Sequence, residues 1–228
     1  MQGDKDLSPR RRWLRIAGLA LVLFVLPILV VLPFGSALVD IARDLGSRSA
    51  PAAFIAVVGL LALDAVALIP HGLIGALAGA SLSLPLAAAA TWCGIMAASC
   101  IAYAIGRFAG RPLARRLVGE GDLAAAEERA SRISALLLFA TRPVPVVGEV
   151  ILIASGIARY PFRRFLLAIG TANTILALAY TGLGGAIGKS DPERLMLIAT
   201  IGIPVAGGVA YFLLKAVTRK RASTSLSS

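Results

Sequence analysis

The apolar residues of this chain fall in long runs, and the few polar positions that interrupt those runs divide it into elements. Residues 16–34 form the first run, about as long as the ~20 residues that cross a bilayer as a helix. The tail before it, residues 1–15, carries Arg10-Arg11-Arg12 and Arg15. A twin-arginine or secretory signal with cleavage near Ser36-Ala37 is the competing reading of this start. The full span length and the further apolar segments favour an uncleaved first transmembrane helix, with the basic tail in the cytoplasm.

Beyond it, Ser36 can cap a short interfacial helix on the outer side, with Leu38, Ile41 and Leu45 on one face. Residues 51–84 are apolar but broken at Asp64, Pro70, His71 and Gly72, and again at 81–85. Residues 86–105 form a cleaner span rich in Ala and Gly. The basic stretch 107–132 reads as a cytoplasmic loop in which Asp122 caps a helix and Glu128 pairs with Arg132 at i, i+4. Residues 133–157 are apolar again, yet hold Arg142, Pro143, Pro145 and Glu149 at their centre. After the basic cluster Arg159-Tyr160-Pro161-Phe162-Arg163-Arg164, two more spans are expected at 165–188 and 195–214, followed by a basic tail, 215–228.

Charge places these segments on the two sides of a membrane. Both flanks of 133–157 are basic and so cytoplasmic, which makes the segment a re-entrant hairpin turning at its prolines. The same accounting requires 51–84 to enter and leave from the outer side, as a second hairpin of opposite orientation. Both termini are then cytoplasmic, and of the 23 basic residues only Arg43, Arg48, Lys189 and Arg194 lie outside, with Arg142 inside the membrane. A loose internal repeat agrees: Pro85, Gly94, Tyr103 and Gly106 recur as Pro161, Gly170, Tyr180 and Gly184, each set preceded by a broken apolar segment. The expected fold is therefore an all-α polytopic membrane protein, an inverted repeat of two oppositely oriented re-entrant hairpins, each followed by a transmembrane helix.

Composition narrows the function classes. The 228 residues are 58% hydrophobic and 15% charged, with a mean hydropathy of +0.84, too apolar for one soluble core and with no expected room for a separate catalytic domain. The net charge of +11 follows a positive-inside pattern, not a nucleic-acid stripe, so no nucleic-acid partner is expected. Cys93 and Cys100, seven apart in one apolar run, make neither a disulfide framework nor a zinc site.

Charges at membrane depth cost about 2.5 to 3.5 kcal/mol each and need a partner or a watery cavity. Asp64, Arg142 and Glu149 are the candidates. One reading makes Arg142 a brace, paired with an acid between the hairpins. The other makes the hairpin tips a polar cavity, where Arg142 holds a phosphate through its planar fork and a carboxylate carries a proton. Pro143 and Pro145 shape the turn and leave free carbonyls beside the substrate position. His71, the chain's one histidine, is a proton shuttle or a plain turn residue. No nucleophile elbow, metal-ligand spacing, phosphate loop or dinucleotide fingerprint is present, so neither an enzyme nor a cofactor or metal is expected.

The run Tyr103-Ala104-Ile105-Gly106-Arg107-Phe108-Ala109-Gly110 resembles the DedA and VTT-domain family, also called SNARE-associated Golgi proteins. So does Arg142-Pro143-Val144-Pro145-Val146-Val147-Gly148-Glu149, continued through Gly156 to Phe162-Arg163-Arg164-Phe165-Leu166. The resemblance covers residues 50–190. It implies oppositely facing hairpins and the movement of lipids between leaflets: recycling of undecaprenyl phosphate with proton motive force in bacterial members, phospholipid scrambling in eukaryotic ones. It matches Asp64 and Arg142 to membrane acids and arginines that matter in the DedA branch. Two positions depart. Pro70-His71-Gly72 stands where DedA flippases carry a second acid after a Pro-Gly turn, and Gly148-Glu149 stands where they carry a second arginine, which places the chain closer to the broader VTT branch. The expected function is translocation or scrambling of a phosphate-bearing lipid in the inner membrane. A non-transporting scaffold and a small-ion or metabolite transporter are the alternatives.

Overall fold

The computed structural model describes residues 40, 44–67, 71–110, 133–144, 147–187, 194, 198–203, 205, 206 and 209. The span expected at 16–34, the loop from 111 on and much of the span at 195–214 lie outside them. The chain divides into two compact units, Met1–Asp40 and Ile41–Ser228. Among the described residues of the second unit there is no strand.

Among the described residues six α-helices build it. The first apolar segment forms α1, Ala50–Ala67, and α2, His71–Ser81. A long helix α3, Leu84–Ala104, runs on into a π-helical stretch, Ile105–Gly110. The second broken segment forms α4, Ala135–Thr141, and α5, Val147–Ile157, and a long α6 follows over Phe162–Ile187. The second interruption falls where helix chemistry fails: α4 ends at Thr141, and Arg142, the next residue, precedes Pro143.

Two boundaries differ from the sequence expectation. The break expected at 81–85 narrows to Leu82 and Ser83, because Pro85 sits in the first turn of α3, where its missing N–H has no intrahelical partner to lose. Helix α6 starts at Phe162 rather than 165, with the Pro161 carbonyl accepting from Phe165 N–H at 3.0 Å. Arg163 and Arg164 are therefore exposed residues of its first turn, against the local dipole, a placement suited to an aqueous or headgroup boundary.

Helix α3 with its π-helical extension, 27 residues, and α6, 26 residues, are each long and apolar enough to cross a membrane. Their outer faces, with those of the shorter apolar helices, carry Ile55, Leu63, Leu167, Ile175 and Leu178, each more than half exposed. Such a spread of large apolar side chains is explained by lipid contact, and the protein resides in a membrane.

The packing is crossed. Helix α2 lies on α6, while α5 lies on α3 and its π-helical extension, and α3 and α6 pack together. Glycines set both crossings. A methyl on Gly156 would overlap the Tyr103 carbonyl, and one on Gly106 the Ile153 carbonyl. In the other crossing, Gly79 meets the Thr181 carbonyl and Gly184 the Ala76 carbonyl in the same way. In all four cases the carbonyl belongs to the residue three before the partner glycine, so the two contacts share one geometry.

Candidate functional site

Arg142 follows directly on α4, which Ser134 caps by accepting from Leu137 N–H at 3.1 Å. The residue is only 2% exposed, and each of its three guanidinium nitrogens has a partner. Nε donates to Asn173 Oδ1 at 2.8 Å, Nη2 to Ser99 Oγ at 3.1 Å and Nη1 to Glu149 Oε1 at 2.8 Å. Asn173 comes from the middle of α6, Ser99 from α3 and Glu149 from the first turn of α5. One guanidinium thus ties three helices together.

The neutral partners form a closed set. Ser99 Oγ donates to the Ile95 carbonyl at 2.6 Å, and accepts from Arg142 and from Asn173 Nδ2, the latter at 3.3 Å. That uses the one donor and both acceptor positions of a hydroxyl. The second Nδ2 hydrogen goes to Met96 Sδ at 3.2 Å. Ser99 and Asn173 are fully buried, whereas the Glu149 side chain is 22% exposed. The network is saturated on its inner side and open at the carboxylate.

The first broken apolar segment meets it there. Asp64, near the end of α1 and 8% exposed, lies 3.0 Å from Nδ1 of His71, the first residue of α2. An ionised carboxylate only accepts, so the neutral imidazole fits this contact with its proton on Nδ1. The ring also stands edge-on to Tyr180 of α6, centroids 6.0 Å apart. Gly72 makes this approach possible, since a methyl there would lie 2.5 Å from the Tyr180 ring.

Ligand atoms of Asp64, His71 and Glu149 lie within 4.8 Å of one another. The sequence showed no metal-ligand spacing because the three residues come from two separate broken segments. Within this cluster Glu149 already faces a cation, Arg142. Helices α2 and α5 both begin at this cluster, so their positive dipole ends lie near it.

Asp64, His71, Arg142 and Glu149 are therefore gathered in one place. Pro143 is a half-buried turn residue beside Arg142, and Pro145 lies outside the described residues. Ser99, Met96 and Asn173 were not singled out in the sequence, and Tyr180 only as a position of the internal repeat. The chain's one asparagine, in the middle of an apolar span, was the available signal for Asn173.

The profile of the VTT domain matches residues 69–186, more than half of the chain and all of α2 to α5. The chain belongs to the VTT-domain family. Within this VTT domain lie His71, Ser99, Arg142, Glu149 and Asn173, while Asp64 sits just ahead of the matched region. Among curated proteins it is similar to undecaprenyl phosphate transporter A of Bacillus subtilis (strain 168), 29% identical over 123 residues. That match takes in 50% of this chain and 62% of the relative, so the chain spans somewhat less than two thirds of the relative's length. The relative's name is that of a transporter, not an enzyme. No solved structure matches.

Proposed function

We propose that this protein moves a phosphate-bearing lipid between membrane leaflets, with Arg142 receiving the phosphate and Asp64, Glu149 and His71 handling a proton. The observation that carries the reading is a buried arginine placed where two half-helices begin, within hydrogen-bond reach of one accessible carboxylate. A guanidinium suits a phosphate because its fork donates two parallel bonds. The helix N-termini add positive potential at the same point. The relative named for undecaprenyl phosphate supports a lipid monophosphate as the substrate class, with phospholipids as the alternative. Pro143 and Pro145 shape the turn beside the headgroup; the carbonyls expected to be left free are not, since the Phe139 carbonyl accepts from Arg142 N–H and the Thr141 carbonyl from Val144 N–H.

In this reading the two broken segments are re-entrant hairpins of opposite orientation, and the chain is a multi-pass protein of the inner membrane with both termini cytoplasmic. The shared glycine geometry of the α2–α6 and α3–α5 crossings supports an inverted repeat. Single cysteines in a background lacking Cys93 and Cys100 test the topology: Arg116 and Arg163 positions should label from the cytoplasm, and Ser47 and Ser190 from outside. Labelling of Arg116→Cys and Arg163→Cys on opposite faces would remove the cytoplasm-facing hairpin.

The function itself is tested by reconstitution in liposomes with a fluorescent lipid monophosphate and a leaflet-selective quencher. Movement well above protein-free vesicles is expected. Movement at the background rate would favour a membrane scaffold, a reading with its own support, since the three bonds of Arg142 cross-link α3, α5 and α6 whether or not anything is transported. The double change Arg142→Gln with Glu149→Gln separates the two: it restores the stability lost in either single variant if the pair only braces, and it restores no transport.

A further inference from the structure

The partners of Arg142 are not equivalent. Nε and Nη2 share the lateral edge of the guanidinium plane, and Asn173 Oδ1 and Ser99 Oγ occupy that edge from the fully buried side. These neutral groups are held in place, because Ser99 is also bonded to its own helix carbonyl and Asn173 to Met96. Glu149 holds the other side through one bond to Nη1. It is the one anionic partner and the one whose side chain is open, at 22%.

We propose that Glu149 is an internal stand-in for the substrate: its carboxylate occupies the place on Arg142 that a phosphate monoester takes, so the phosphate binds by displacing it and the displaced carboxylate picks up a proton. This rests on the reading of Arg142 as the phosphate ligand and states how the proton is linked to it.

Displacement has a defined destination. A carboxylate released from Nη1 loses its positive partner, while its oxygen is already within 4.8 Å of Asp64 and His71 ligand atoms. Among the described residues, the charged and titratable groups around it are Arg142, Asp64 and His71, with Tyr180 behind the imidazole. Beside ionised Asp64 and without its guanidinium, ionised Glu149 is repelled, and one proton relieves the repulsion. The guanidinium keeps all its protons. One phosphate and one proton are therefore taken up together, and acid favours binding, because it neutralises the internal competitor. Asn173 and Ser99 hold the guanidinium plane fixed while the anion is exchanged.

Calorimetric titration of the full-length protein in detergent tests this, with a short-chain prenyl monophosphate and, separately, inorganic phosphate as probes. Titrations at pH ~8, above the second phosphate ionisation near 6, in two buffers of different ionisation heat count the protons. About one proton taken up per phosphate is expected. Glu149→Gln keeps the side-chain shape and its acceptor oxygen, and should bind roughly tenfold tighter with no uptake. Glu149→Asp, which still titrates, should retain the uptake. Unchanged uptake in Glu149→Gln, or weaker binding there, overturns the exchange but leaves Arg142 as phosphate ligand if Arg142→Gln loses binding. Equal binding by wild type and Arg142→Gln, or none by wild type, overturns both. Much tighter binding of the prenyl probe assigns the site to a lipid headgroup, and equal affinities assign it to free phosphate.

Discussion

The amide oxygen of Asn173 accepts from Arg142 Nε at 2.8 Å across 31 residues of sequence, fixing the buried guanidinium to the middle of α6. Asn173 also donates to Ser99 and Met96, so it sets both the plane and the position of the charge. Asn173→Leu removes the acceptor from a buried cation, and should destabilise the protein by about 1.5 to 3 kcal/mol. Asn173→Asp keeps the acceptor but puts a second anion beside Arg142, and should weaken phosphate binding with a smaller loss of stability. Thermal melting and phosphate titration on the same samples check this. Unchanged binding in both variants would remove the positioning role.

The glycine crossings predict a sharp contrast. Gly156→Ala drives a methyl into the Tyr103 carbonyl and toward the Arg107 nitrogen, both of them backbone, and should cost about 1 to 3 kcal/mol or more, because backbone cannot step aside as a side chain can. Gly59→Ala meets nothing within 4 Å and should be neutral, or stabilising by up to ~1 kcal/mol from helix propensity. Melting temperatures in one detergent compare the two directly.

At the end of α5, Tyr160 N–H bonds to the Ser155 carbonyl at 2.9 Å and Arg159 N–H to the Gly156 carbonyl at 3.1 Å, with Arg159 at φ 55°. This is a Schellman ending with arginine in the left-handed position that glycine usually fills. Arg159→Gly should stabilise the fold by about 1 kcal/mol. A lower melting temperature in Arg159→Gly would show instead that the arginine side chain holds this end in place.

The interruptions were legible because proline and charge act locally: Pro70-His71 and Arg142-Pro143 break apolar runs whatever surrounds them. Charge at membrane depth also made Asp64, Arg142 and Glu149 legible as candidates, and Arg142 and Glu149 meet at 2.8 Å. Ser99 was not legible. A hydroxyl within a helix normally satisfies itself on its own turn, as Ser99 does on Ile95, and its additional bond to Arg142 across 43 residues depends on the rotation of α3 relative to the second broken segment. The approach of Asp64 and His71 to Glu149 was equally hidden, because it depends on how separate segments pack. The glycine geometry could be read only as a loose repeat, since spacing carries no record of which carbonyl each glycine faces.

Lipid translocation by Arg142→Lys in proteoliposomes tests the central claim most directly. Lysine keeps the positive charge but has neither the planar fork nor the Nε that bonds Asn173. Transport of a fluorescent lipid monophosphate should fall at least about tenfold, while the variant still inserts, with some loss of melting temperature from the unpaired Asn173 and Ser99. Transport at the wild-type rate by Arg142→Lys and also by Arg142→Gln would show that the arginine does not bind the phosphate.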